Sequence, residues 1–169
     1  MRETYVRLII ATCLAAVAAS TAITAQSKSA CNRACLTGFA DTYLKALGGN
    51  TPNAVPLAAN AKITFNGRAV KLADAFWDSA DRIVYRFDIV NDRLGDVATE
   101  AVVQNSDSSK TMYMVRLKVA DGKITEVETI KANKGEADRL WDPDNLKEVS
   151  PSLQLSLRPA DQDLSLIHI

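Results

Sequence analysis

The chain has 169 residues, with 20 Lys plus Arg against 20 Asp plus Glu, 47% apolar residues, 24% charged residues and one histidine. That length predicts one globular domain with little room for a second. The balanced charge excludes the basic excess that nucleic acid or anionic lipid selects, and no long run of like charge marks an interaction tail.

The first 25 residues read as an export leader. Arg2 and Arg7 give a positive start, and "LIIATCLAAVAAS" is an apolar stretch of about 13 residues, short for a membrane span. Small residues follow, and "ITA" before Gln26 is the expected cleavage site, with Ile23 not ideal at its first position. An N-terminal membrane anchor is the alternative. A lipoprotein is disfavoured, because Lys28 stands where a lipidation signal wants an apolar residue. Without residues 1–25 the chain carries 18 basic and 19 acidic residues. The expectation is a secreted or periplasmic protein with no stable membrane insertion once the leader is gone.

Cys13 leaves with the leader, so Cys31 and Cys35 of "CNRAC" remain. Two thiols in an oxidising compartment point to a disulfide. A spacing of four stacks them on one side of a helix at a Cα separation of roughly 6 Å, within disulfide range. Free thiols, or a bridge to another segment, stay open. A redox pair would normally be C-x-x-C, and zinc would need two further ligands, so no metal is expected.

"CLTGFADTYLKAL" has helical spacing through Leu36, Phe39, Tyr43, Leu44 and Leu47, and Gly48-Gly49 stops it. "TPNAV" predicts a short helical turn with Thr51 as cap and Pro52 at its first position. "AKITFNGRAVKL" predicts a hairpin around Asn66-Gly67. "LADAFWDSA" returns to helical spacing through Leu72, Ala75, Phe76 and Ala80. "RIVYRFDIV" places Ile83, Tyr85, Phe87 and Ile89 on one face of a strand. "VATEAVVQ" is the next strand. "KTMYMVRLKV" puts Tyr113, Val115, Leu117 and Val119 opposite Arg116 and Lys118. Asp121-Gly122 turns the chain into "KITEVETIKA". Tight turns between strands imply an antiparallel meander, and helices placed before it imply an α+β fold.

This order, with "CNRACLTGFADTYLKAL", "ITFNG", "LADAFWDSADRIVYRF" and "RLKVADGKITEVETI", resembles the nuclear-transport-factor-2-like superfamily, which includes ketosteroid isomerase and the SnoaL-type polyketide cyclases. More narrowly it resembles a secreted bacterial and fungal family known as a domain of unknown function. The resemblance covers roughly Cys31 to Ile130. It implies a cone-shaped curved antiparallel sheet wrapped around a long N-terminal helix, occupying residues 26–134, with a pocket inside. Members of the narrower family commonly read Thr-Glu-Asn-Gly where this chain has Thr64-Phe65-Asn66-Gly67, so any role of that glutamate elsewhere is not carried over to Phe65.

Fold does not decide function. Tyr43, Trp77, Tyr85, Phe87 and Tyr113 share the apolar phases of elements that must face one another, and they are the expected pocket lining. Plain core packing is the alternative for each. Without His168 the chain has no histidine, which argues against a histidine-dependent dehydratase site. A carboxylate in an apolar pocket, its pKa raised, would suit proton shuttling. The candidates are Asp41, Glu100, Glu126 and Glu128. Glu126 and Glu128 share a strand phase with Ile124 and Ile130, which marks a solvent or interface face, or else a polar part of the cavity.

Two functions follow. One is a secreted domain that binds a small apolar ligand in the cone without a cofactor. The other is a carboxylate-dependent isomerase or lyase acting on an apolar cyclic substrate. A homodimer through the sheet face is compatible with either.

Residues 135–163 hold prolines and no sustained periodicity, and read as a linker towards a second, related domain. "LSLIHI" at 164–169 can be back-translated to CTG-TCT-CTT-ATA-CAC-ATC, the transposase end of common DNA-library kits. It is expected to be adapter-derived, which leaves His168 without a catalytic role. A short native strand is the alternative.

Overall fold

The computed structural model describes residues 31–135 and 142–153. The leader, the tail with His168 and much of the expected linker lie outside the described residues. Helix α1 spans Arg33–Gly48. Asn32 caps it by accepting the Cys35 N–H at 3.0 Å, as an Asn at this position does for one of the donors a helix start leaves open. Cys31 and Cys35 form a disulfide with Cα atoms 5.2 Å apart, closing the loop that contains the cap. A single 3-10 turn at Pro52–Ala54 follows.

Six strands form one sheet: β1 (Leu57–Phe65), β2 (Arg68–Ala69), β3 (Ala80–Asn91), β4 (Asp96–Asn105), β5 (Lys110–Ala120) and β6 (Lys123–Asn133). Their order is β2-β1-β6-β5-β4-β3. All neighbours are antiparallel except β1 and β6, which run parallel. The β1–β2 turn has φ of 47° at Asn66 and 76° at Gly67, and the β5–β6 turn has 51° at Asp121 and 70° at Gly122. Paired left-handed residues twist as a two-residue hairpin requires, which is why Asn-Gly and Asp-Gly stand there. The Asn66 side chain also accepts the Lys131 N–H at 2.8 Å, and its own N–H donates to Thr129 O at 2.9 Å. The parallel pairing is thus extended past the end of β1.

The sheet is curved and its two faces differ. On the concave face Leu36, Tyr43 and Leu47 of α1 pack with Trp77, Val97, Val103, Tyr113, Leu117, Ile124 and Val127. On the convex face Tyr85, Val102 and Met112 form a second cluster under Leu146 and Val149. Part of the segment read as a linker therefore folds back on the sheet. Asp144 anchors it through Lys110 at 2.9 Å and Lys134 at 2.7 Å.

Three local expectations differ from what is observed. "LADAFWDSA" forms one 3-10 turn, Leu72–Asp74, and no α-helix. Burial of consecutive Phe76 and Trp77 overrides the helical spacing, and Asp78 and Ser79 do little to propagate a helix. In β3, Ile83 pairs with Val103 but Tyr85 pairs with Val102, so Val84 is an extra residue. Such a bulge reverses the alternation beyond it. Ile83 packs on the concave core, while Tyr85 and Phe87 join the convex cluster. In β6, Ile124 pairs with Val119 and Glu126 with Lys118, so Thr125 is extra, and buried Ile124 faces away from Glu126, Glu128 and Ile130.

Two glycines of α1 give opposite tests. A Cβ on Gly48 would lie 2.9 Å from Asp81 O, whereas one on Gly38 would meet nothing within 4 Å. Chemical denaturation of Gly38→Ala should show a gain of about 0.5–1 kcal/mol from helix propensity. Gly48→Ala should lose about 1–3 kcal/mol, because α1 must move off β3. Equal effects would contradict the close packing of the two elements. The disulfide closes a very short loop, so replacing both cysteines by Ser should cost no more than about 2 kcal/mol. A larger loss in the same assay would show that the bridge does more than restrict the unfolded chain.

Candidate functional site

The phase of β5 directs Tyr113 into the cone, and the fourth-residue spacing of α1 directs Tyr43 to meet it. Both are fully buried, and their hydroxyls are 2.8 Å apart. Trp77 enters from the segment before β3, with its ring edge-on to Tyr43 at 5.6 Å between centroids. Phe76 lies 5.7 Å from the Tyr113 ring, and the Lys131 ammonium stands 4.7 Å over the Phe76 ring. Three of the five expected lining residues, Tyr43, Trp77 and Tyr113, are therefore brought together. Tyr85 and Phe87 are placed on the convex face by the Val84 bulge.

The tyrosine pair is polar chemistry in an apolar setting. Burial pushes the Tyr43 phenol up to about 12, with the Tyr113 hydrogen bond partly opposing it. Burial pushes Tyr113 well above the ordinary range, and the neighbouring Tyr43 adds to the shift. Both stay protonated near neutrality and act as neutral hydrogen-bonding groups. Buried Thr129 on β6 donates its hydroxyl to Thr64 O at 2.9 Å. The Trp77 indole N–H, in a residue only 1% exposed, has no acceptor among the described residues. An unmet buried donor costs roughly 1–3 kcal/mol, so this one calls for an explanation. Thr129 was missed in the sequence, although the signal was there: it is a hydroxyl residue in the apolar phase of β6, two after Val127.

The four candidate carboxylates lie elsewhere. Glu100 pairs across the strands with Phe87 and Met114 on the convex face. Glu126 and Glu128 share that face and hold Arg116, whose third partner is Asp96. Arg116 keeps the Glu128 carboxyl below its usual range. Asp41 projects from α1 to Arg86, which also grips Asp88 at 3.0 and 2.7 Å. Asp88 in turn accepts from buried Thr99 at 2.7 Å. This network ties α1 to the edge strand. With Asp41 65% exposed, its ion pair stabilises by no more than about 1 kcal/mol. A shallow cleft of about 480 Å³ opens beside it, between α1 and the start of β3, and includes Lys45 and Arg82. Among the described residues no group of three or more His, Cys, Asp or Glu could hold a metal ion, and no helix is long and apolar enough to cross a membrane.

Comparison with known proteins agrees with this geometry. A de novo designed protein with a curved β-sheet superposes with a TM-score of 0.51 at 17% identity, covering 68% of this chain and 96% of its own. AclR from Streptomyces galilaeus superposes at 0.51 with 10% identity, covering 61% and 82%. An NTF2-like protein from Cytophaga hutchinsonii gives 0.46 at 12% identity, covering 57% and 89%. These likenesses are of fold. No curated protein matches the chain. The family model described as "Domain of unknown function (DUF8021)" matches residues 29–131. The chain thus has the nuclear-transport-factor-2-like α+β fold and belongs to the DUF8021 family.

Proposed function

We propose that this is an exported domain that binds a small apolar molecule in its cone without transforming it. One observation carries the reading: the Tyr43–Tyr113 hydroxyl pair and the Trp77 N–H, without an acceptor among the described residues, lie together inside a mostly apolar concave core. Small-molecule sites have this composition, mostly apolar and aromatic with a few convergent polar groups. The Cys31–Cys35 bridge and the leader-like first 25 residues support export, since disulfides persist in oxidising compartments.

Carboxylate placement favours binding over isomerisation. A proton-shuttling carboxylate needs an apolar surround and no fixed counter-ion. Asp41 and Asp88, on the concave side, are both held by Arg86, and Glu100, Glu126 and Glu128 face outward. The exposed convex residues Ile89, Met114 and Ile130 would be the contact face of a homodimer.

The test uses a neutral apolar dye, Nile red, in a Trp141→Phe background, so that Trp77 is the only indole in residues 26–169. Saturable dye binding should quench Trp77, and Trp77→Leu should weaken it several-fold. Dye that binds without touching Trp77 fluorescence would place the site elsewhere and remove the proposal. The neutral phenols give a second check. Both tyrosines have folded pKa values raised above the ordinary value near 10, so their contribution to stability is complete below about pH 10. It is lost as the pH climbs towards and past 12, because the unfolded chain ionises first. In an ultraviolet titration, Tyr43 and Tyr113 should ionise only with loss of circular dichroism. Ionisation within the native state at about pH 10 would show that they are solvated.

A further inference from the structure

The convex face of the sheet is built in rows. Cross-strand pairing sets Tyr85, Val102, Met112 and Ala132 in one row, and Phe87, Glu100, Met114 and Ile130 in the next. The rows share a face and lie two residues apart along each strand, yet their exposure differs. Met112 is 3% exposed and Met114 is 37% exposed. The segment 142–149 separates them, because Leu146 and Val149 pack on the first row. Charge holds the start of that segment. Thr111 pairs with Asn133, so Lys110 and Lys134 lie just outside one cross-strand pair, and they grip Asp144 at 2.9 and 2.7 Å. Lys134 also reaches Asp142 at 3.4 Å. Asp142 accepts the Asp144 N–H at 3.0 Å, in the turn that presents the Asp144 carboxylate. The attachment is light. Leu146 and Val149 are only half-buried and Asp144 is exposed, and ion pairs in that position contribute little to stability. A segment with so few buried contacts opens at lower cost than the sheet beneath it.

We propose that residues 142–149 are a charge-latched strap that limits self-association through the convex face. Closed, the strap covers the first row and leaves only the second open, where Glu100 interrupts the apolar side chains. Released, it joins Tyr85, Val102 and Met112 to Phe87, Met114 and Ile130 as one surface for a second copy of this chain. Patch size is what changes: scattered exposed apolar residues are ordinary, whereas a contiguous apolar patch drives association. The inference rests on the convex face being the contact face of a homodimer and names what regulates it. It does not depend on the cone or its ligand.

The sequence supplies its own probe. Met112 and Met114 are the only methionines in residues 26–169, one in each row. The experiment exposes the full chain to dilute hydrogen peroxide and follows each sulfoxide by tandem mass spectrometry. In the wild type Met112 should oxidise about tenfold more slowly than Met114, since attack follows exposure. Leu146→Ser combined with Val149→Ser removes the apolar hold and should bring Met112 close to the Met114 rate. Asp144→Asn weakens the latch, leaves the apolar contacts in place and should raise the Met112 rate by a smaller factor. Amide exchange in α1 should stay unchanged, which separates strap release from global unfolding; if the double variant disturbs α1, Asp144→Asn decides. Sedimentation equilibrium should then show tighter self-association once the strap is released. Met112 as reactive as Met114 in the wild type, or a Met112 rate that no strap variant moves, overturns the cover. Self-association that is equally strong closed and released overturns the strap's role and leaves the homodimer standing. A chain that stays monomeric with the strap released removes both.

Discussion

A single extra residue, Val84, decides which side chains this domain keeps inside. Before it, β3 turns Ile83 inward; after it, the alternation reverses, and Arg86, Asp88 and Val90 take the concave side while Tyr85 and Phe87 go out. The reversal lets an arginine reach back to α1 and clamp the edge strand through Asp41 and Asp88. It also supplies the convex face with the aromatic residues on which Leu146 and Val149 settle. Without the bulge the two tyrosine-bearing strands would crowd Tyr85 and Tyr113 into one cone, and the convex cluster would lose its centre.

The concave side follows a different rule. Its buried polar groups are neutral: the Tyr43 and Tyr113 phenols, the Trp77 indole, and Thr99, Asn105, Thr111 and Thr129. The ionisable groups sit in networks at the rim or on the outer face. Arg116 gathers Asp96, Glu126 and Glu128, and Arg86 gathers Asp41 and Asp88. This separation keeps the desolvation cost of charge away from the apolar core, where an uncompensated carboxylate would be expensive.

What could be read before the structure was what depends on local chemistry. The period of Leu36, Tyr43 and Leu47 marked α1, Asn66-Gly67 and Asp121-Gly122 marked two hairpins, and the Cys31–Cys35 spacing marked the bridge. The placing of Tyr43 and Tyr113 on facing sides also followed from period alone. The placing of Tyr85, Phe87 and Ile124 did not, because strict alternation carries no sign of an inserted residue, and Val84 and Thr125 are ordinary strand formers. Nor could the pattern of "LADAFWDSA" distinguish a full helix from one turn followed by two aromatic anchors. The parallel pairing of β1 with β6 and the docking of Leu146 and Val149 are long-range choices, fixed by packing and invisible to a local window.

The parallel β1–β6 pairing has a temporal consequence. Thr64 lies opposite Glu128, so β1, beyond its short hairpin with β2, cannot reach its parallel neighbour until β6 has been made. The hydrogen bond from the Thr129 hydroxyl to Thr64 O belongs to the same late pairing. Non-local pairings of this kind form slowly, since the chain must be closed over a long interval before any contact rewards it. A chain made from its N-terminus would carry α1 and β1 as unfinished pieces until residues beyond 130 were free to fold. Such a domain stays threadable for most of its synthesis and acquires its interior last.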